Sequence, residues 1–313
     1  YHLCKDNSSM QNRVQSKVSG ISHFFLAVGI LILSLFAMTG VAMIIVQKVY
    51  GMSLDSLSTF SLADATLTET MALKVAQFII ALSFVIAGFV CAKTFRQNFA
   101  SFTNITTRIH PLHLIIGIAL LVCLIPIVDG LVRFNASWSF PENMAQSFTE
   151  LEEKSNHTYA LFLKFNTGSQ FIINLLIMSV LAAVGEEIFF RGILLRVLSK
   201  WFGNIHVGIL TSALIFTLVH FQPYKILPML TLGIFLGYVY YRTKSIWVPI
   251  CIHAINNAIV VVGDWAEQTG KSLPIFSAEF QFTELQIILS ILAFVGIGFL
   301  FWKKTKDNDF SYE

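Results

Sequence analysis

The sequence predicts an all-α protein, a polytopic bundle of about eight transmembrane helices around a polar intramembrane cavity. Three observations predict it. Of the 313 residues, 55% are hydrophobic and only 12% charged, with 29 phenylalanines, and the mean hydropathy is +0.71. Apolar runs near the ~20 residues needed to cross a bilayer recur along the whole chain. The charges between those runs segregate by sign, loop by loop. This composition excludes a soluble globule. The net charge of +3 is unremarkable; its sidedness matters more.

Taken in order, residues 1–20 are a polar tail with Lys5, Arg13 and Lys17, expected to be poorly ordered and cytoplasmic. The chain opens on Tyr1 and not Met, which leaves room for a start further upstream, and no cleavable signal peptide is visible. Residues 21–133 hold three spans, about Ile21–Val46, Leu73–Ala92 and Leu112–Leu131. A loop with Asp55, Asp64 and Glu69 joins the first two, and a basic loop with Lys93, Arg96 and Arg108 joins the next pair. Pro126 is placed to kink the third span, because proline removes a ladder hydrogen bond. Asp129, near its outer end, reads as a cavity group or, more simply, as an interfacial residue wetted by headgroups.

Residues 134–169 form an external acidic loop with Glu142, Glu150, Glu152 and Glu153, able to act as a cap. Residues 170–263 hold spans four to seven: the stretch from Gln170 to Lys200, then about Ile205–Phe221, Ile226–Tyr241 and Ile246–Val262. Residues 264–313 add a last span, about Leu285–Trp302, and a cytoplasmic tail. Gly233-Ile-Phe-Leu-Gly237 is a GxxxG expected to serve close helix packing. Cys4, Cys91, Cys123 and Cys251 have neither CxxC nor zinc-finger spacing and read as small core residues. Asn7, Asn104, Asn135 and Asn156 begin N-x-Ser/Thr triplets, a pattern frequent by chance.

Against this apolar background, ionisable residues inside spans stand out, because a charge at the bilayer centre costs ~3 kcal/mol or more. The fourth span carries Gly185-Glu186-Glu187-Ile188-Phe189-Phe190-Arg191. Glu187 and Arg191, four apart, share a helix face in the favourable acid-before-base order. The simplest division pairs them and leaves Glu186 facing the cavity; the reversed or shared assignment stays open. The fifth span contains Phe216-Thr-Leu-Val-His220, and the seventh His253-Ala-Ile-Asn-Asn257, each an i,i+4 pair on one face. At 1.5 Å per residue, Glu186 lies about 21 Å from the inner end of its helix and His220 about 22 Å from the start of its own. His253 and Asn257 lie about 12 and 18 Å above Ser245, so the groups converge if the fourth helix continues past Arg196.

Glu186-Glu187-x-x-x-Arg191, Phe216-x-x-x-His220 and His253-x-x-x-Asn257, in this order on successive helices, resemble the CAAX protease and bacteriocin-processing (CPBP, or Abi) family of intramembrane proteases. The resemblance covers about residues 170–263, and every motif position matches. It implies an eight-helix bundle enclosing a cavity, with peptidase activity on C-terminal or membrane-proximal bonds of a prenylated or leader-peptide substrate. The implied catalytic set is Glu186, Glu187, Arg191, His220, His253 and Asn257. Expected partners are membrane lipids and a peptide or protein substrate, and no nucleic acid. The expected location is the bacterial plasma membrane.

Hydrolysis needs an activated water, a stabilised oxyanion and a proton for the leaving amine. Glu186 suits the general base, His220 the holding of the water or the acid, and His253 with Asn257 the oxyanion. Glu186, His220 and His253 also make a two-His, one-carboxylate set adequate for Zn²⁺, so the cofactor is either none or Zn²⁺. The competing class is a non-proteolytic membrane scaffold, for bacteriocin immunity or a sensor kinase, of the same fold.

With the N-terminus inside, most of the 21 Lys and Arg residues fall on the inner side, Arg196, Lys200, Arg242 and Lys244 near the inner mouth of the cavity. Cysteine labelling should therefore reach position 245 and the C-terminal tail from the cytoplasmic side and position 150 from outside. An externally labelled tail would mean an odd error in the span count.

Overall fold

The computed structural model describes residues 2–53, 65–271, 275 and 280–305, with side chains described from residue 19 onward. Among them the chain is all-helical, without a strand. The helices are α1 (His2–Tyr50), α2 (Leu67–Thr94), α3 (Phe99–Phe102), α4 (Pro111–Ala136) and α5 (Glu142–Leu163). Next come α6 (Gly168–Phe202), α7 (Ile205–Leu218), α8 (Ile226–Thr243), α9 (Trp247–Gln268) and α10 (Glu284–Lys304). Six segments are long and apolar enough to cross a membrane: Ser19–Tyr50 within α1, then α2, α4, α6, α9 and α10. With α7 and α8 they make the eight apolar helices that the sequence predicts. The 14 residues of α7 rise only about 20 Å, short of a full crossing.

Two expectations change. α1 begins at His2, so the polar tail continues the first helix; neither Pro nor Gly interrupts it before Gly20. The acidic loop is mostly helix, α5, whose Leu161 and Leu163 are buried against the bundle. Pro126 sits inside α4 without ending it. Asp55 and Asp64, the Cys4 and Asn7 side chains and the far C-terminal tail lie outside the described residues.

α6 runs through the centre. Every residue from Ile188 to Leu195 is buried, as a helix that is apolar all round must be. α1 and α2 pack on one side of it, with Phe189, Phe190 and Ile193 meeting Ala87 and Cys91. α9 packs on another and also touches α4, through Ile252 against Leu120 and Leu121. α1 and α10 lie at the rim and present long exposed apolar faces, the surface that meets lipid. The GxxxG of α8 faces α7: a Cβ at Gly233 would stand 2.9 Å from that of Ala213, and one at Gly237 2.8 Å from Ile209 Cγ2. Only hydrogen at both places lets the two backbones meet.

The turn between α7 and α8 is held from a distance. Asn135, fully buried at the end of α4, donates Nδ2 to the Pro223 carbonyl at 3.2 Å and accepts from the Leu227 N–H at 2.9 Å. Its triplet is therefore no glycan acceptor in the folded chain. Asn135→Ala strands a buried donor and acceptor beside His220; the expected cost is about 2 kcal/mol, read as a lower unfolding midpoint in detergent. An unchanged midpoint would show that the turn holds itself.

Candidate active site

α6 is not a uniform α-helix. Two π-helical segments, Leu175–Leu181 and Ile188–Leu194, flank the α-helical turn Ala182–Glu187 that ends on the glutamate pair. Wide π turns redirect carbonyls out of the i→i−4 ladder, and here neighbouring helices use them. Ser212 Oγ of α7 donates to the Phe190 carbonyl at 3.0 Å, and Asn257 Nδ2 of α9 to that of Met178 at 3.4 Å. Ser179 Oγ donates across to the Ala254 carbonyl at 2.6 Å. α2 presses on the residue before the pair: a Cβ at Gly185 would lie 3.1 Å from Phe84 Cβ and 3.2 Å from the Ala81 carbonyl oxygen. α6 also continues to Phe202, meeting the condition under which the three motifs converge.

The two glutamates have opposite surroundings. Glu187 is sealed, its side chain 0% exposed, and its Oε1 accepts from Arg191 Nη1 at 2.6 Å. The same oxygen accepts from His253 Nδ1 at 2.8 Å. Arg191, equally buried, also donates Nη2 to the Gly233 carbonyl at 3.1 Å and stacks over the Phe216 ring at 5.1 Å. Glu186 keeps 17% of its side-chain surface open, and its Oε2 lies 3.7 Å from His253 Nε2. Because Nδ1 of His253 donates to a carboxylate, Nε2 is its second, switchable nitrogen, and it faces Glu186.

His220 lies two residues beyond the end of α7, which stops at Leu218. Its Nδ1 stands 2.6 Å from the Phe216 carbonyl. The carbonyl can only accept, so Nδ1 carries the proton and Nε2 the lone pair. The Phe216 ring lies against both imidazoles, with centroids 4.6 Å from His220 and 6.1 Å from His253. The structure thus joins Glu186, Glu187, Arg191 and His253 directly, brings His220 in through Phe216, and brings Asn257 in through the Met178 carbonyl. Among the described residues no three His, Cys, Asp or Glu side chains are grouped as a metal ion would need. Glu186, His220 and His253 as placed do not make that ligand set.

Other residues singled out in the sequence have structural work. Arg242 is buried, stacks 3.8 Å over Trp302 and donates to the Thr305 hydroxyl at 3.1 Å and the Trp302 carbonyl at 2.5 Å. It braces the end of α10 and does not line an open mouth. Arg196 donates to the Phe102 carbonyl and covers the Phe102 ring. Asp129 pairs with Arg133 at 3.2 Å and accepts from the Phe282 N–H at 3.3 Å, fastening α4 to the approach of α10. Sequence reasoning passed over Lys74, 1% exposed within α2. The rule that flagged the glutamates, a charge inside an apolar span, would have found it.

Arg191→Leu leaves Glu187 buried with one partner gone. The expected loss is about 3–5 kcal/mol of stability, seen as lower abundance and a lower unfolding midpoint. Full stability in that variant would mean the ion pair does not hold the core.

Residues 168–259 match the family model described as type II CAAX prenyl endopeptidase Rce1-like. The Bacillus subtilis (strain 168) protein named "Putative membrane peptidase YdiL" is 33% identical over 88 residues, 28% of this chain. Those residues cover 36% of that protein, so the match spans about a third of its length. No solved structure matches the chain. The match carries the CAAX-protease description but neither the bacteriocin-processing nor the metalloprotease one. It falls on the segment that holds all three motifs, within an integral membrane protein. Over residues 168–259 the chain is similar to the Rce1-like family of type II CAAX prenyl endopeptidases, the family type that its motifs resemble.

Proposed function

We propose that the chain is an intramembrane endopeptidase, cleaving a peptide bond of a membrane-associated, prenylated or leader-peptide substrate with a glutamate-activated water. The observation that carries this reading is the asymmetry of two adjacent carboxylates: Glu187 sealed and doubly held, Glu186 partly open. Paired carboxylates in unlike environments divide their roles.

In this reading Glu186 takes one proton from water while the Nε2 lone pair of His220 accepts a hydrogen bond from the O–H that the attacking oxygen keeps. The water oxygen bonds to the scissile carbonyl carbon, and the carbonyl pair moves onto its oxygen. The Asn257 amide donates to that oxyanion, exchanging its long bond to the Met178 carbonyl for a shorter one. The C–N bond then breaks, and the proton held by Glu186 passes to the leaving amine. His253, anchored through Nδ1 on Glu187, orients Glu186 through Nε2. Its place between the glutamates favours this over the oxyanion role expected from sequence. Arg191 holds Glu187 in place.

The zinc reading requires Glu186, His220 and His253 to draw together; stoichiometric zinc in pure active protein, lost together with activity, would establish it. We place the chain in a bacterial plasma membrane with both termini cytoplasmic, from the positive-inside distribution of its loops. Its partners are membrane lipids and the peptide or protein substrate.

Glu186→Gln keeps shape and removes the base. In liposomes, with prenylated and leader peptides as substrates, kcat should fall by about a thousandfold or more at unchanged abundance and unfolding midpoint. Retained cleavage would remove Glu186 from the base role. A wild type that cleaves neither peptide would favour the scaffold.

A further inference from the structure

α5 is the polar helix of the fold, and two sets of contacts fasten its second half. On one side it meets the turn that follows His220: Lys225 Nζ stands 3.0 Å from both Glu152 Oε1 and Asn156 Oδ1. Gln222 Nε2 donates to Ser155 Oγ at 2.9 Å. At its C-terminus a helix leaves its last carbonyls unbonded, and three membrane helices collect them. Lys74 of α2 donates to the carbonyls of Phe162 at 3.2 Å and Lys164 at 2.7 Å. Asn174 of α6 and Gln268 of α9 donate to that of Leu163, at 2.6 and 3.5 Å.

Tyr159 stands between these fastenings. Residues 152, 155, 156 and 159 recur at helical spacing and share one face, and Tyr159 lies one turn before Leu163. α9 supplies a second bearing. His253, Asn257, Asp264 and Gln268 follow one another along one side of that helix, His253 reaching Glu187 and Gln268 reaching Leu163. One turn back from the Gln268–Leu163 contact stand Tyr159 on α5 and Asp264 on α9. Asp264 lies about 10 Å along the α9 axis from Asn257. Burial, and then the charges of Asp264 and Glu186, push the Tyr159 phenol up to about 12, so it remains a neutral donor. The side chain is still 38% exposed.

We propose that Tyr159 is a substrate-positioning residue, its hydroxyl donating a hydrogen bond to the backbone of the bound peptide within about three extended residues of the bond cleaved at Glu186. This rests on the peptidase reading above. α5 then does more than cover the outer end of the site. It sets how a peptide lies across it, and the fastenings through Lys74, Asn174, Gln268 and Lys225 hold the phenol at the required height.

The test uses the full chain in liposomes with a fluorescent farnesylated peptide ending in a CAAX sequence. Tyr159→Phe removes only the hydroxyl. KM should rise about tenfold, the loss of one well-placed hydrogen bond, with kcat within about twofold and the unfolding midpoint unchanged. An unchanged KM overturns the proposal, and so does a lowered midpoint, which would make Tyr159 a packing strut. A second arm measures binding of the same peptide to Glu186→Gln protein, with and without Tyr159→Phe. Binding weakened by the same factor supports the proposal even if the wild type never cleaves, in which case only the peptidase reading fails. Equal binding by both proteins, or none by either, sinks it.

Discussion

The rest of the structure depends on one buried carboxylate oxygen. Glu187 Oε1 accepts from Arg191 on its own helix and from His253 on α9, while Arg191 reaches on to the Gly233 backbone of α8. Three helices thereby meet at a point where an unpaired charge would be intolerable, since breaking a buried pair costs far more than the intact pair contributes. Gly233 serves twice: its missing Cβ lets α8 close on α7, and its carbonyl receives the arginine. The same chain of contacts leaves Glu186 next to a histidine and short of full burial.

The π segments explain how a membrane helix can carry so much polar function. In lipid every backbone group needs a partner inside the protein, and a uniform α-helix spends all its carbonyls on itself. The wide turns in α6 release some of them beside the glutamates. Ser212 and Asn257 take two up, and Ser179 answers with a bond to α9. These bonds fix the rotation of α6 against α7 and α9, and hence the direction in which each glutamate points.

The polar periphery follows the same logic at the helix ends. Lys74, Asn174 and Gln268 close the C-terminus of α5, Arg242 closes that of α10, and Asn135 holds the turn after His220. Polar side chains here, all but Gln268 buried, complete backbone ends that water would otherwise satisfy. Arg242 shows the pattern: it spends its donors on the Trp302 carbonyl and the Thr305 hydroxyl at the end of α10.

The sequence by itself determined the helical class and the eight apolar helices, and it offered the Glu187–Arg191 pair as the simplest assignment and the convergence of three polar motifs as conditional on the length of the fourth helix. Each follows from a local rule: span length, the cost of an intramembrane charge, and the i,i+4 repeat. Tertiary structure alone decided the rest. Nothing in the spacing of His253 and Asn257 says that the histidine contacts Glu187 through Nδ1, because that depends on the rotation of α9 against α6. The π turns, the early end of α7 at Leu218 and the docking of α5 are likewise settled by partners distant in sequence, such as Ser212 for Phe190 and Lys74 for Phe162 and Lys164. A polar loop becomes a docked helix only when donors from three other helices, Lys74 and Asn174 buried among them, are there to receive its end. Periodicity can show which residues share a face, but contact with a second helix determines what that face does.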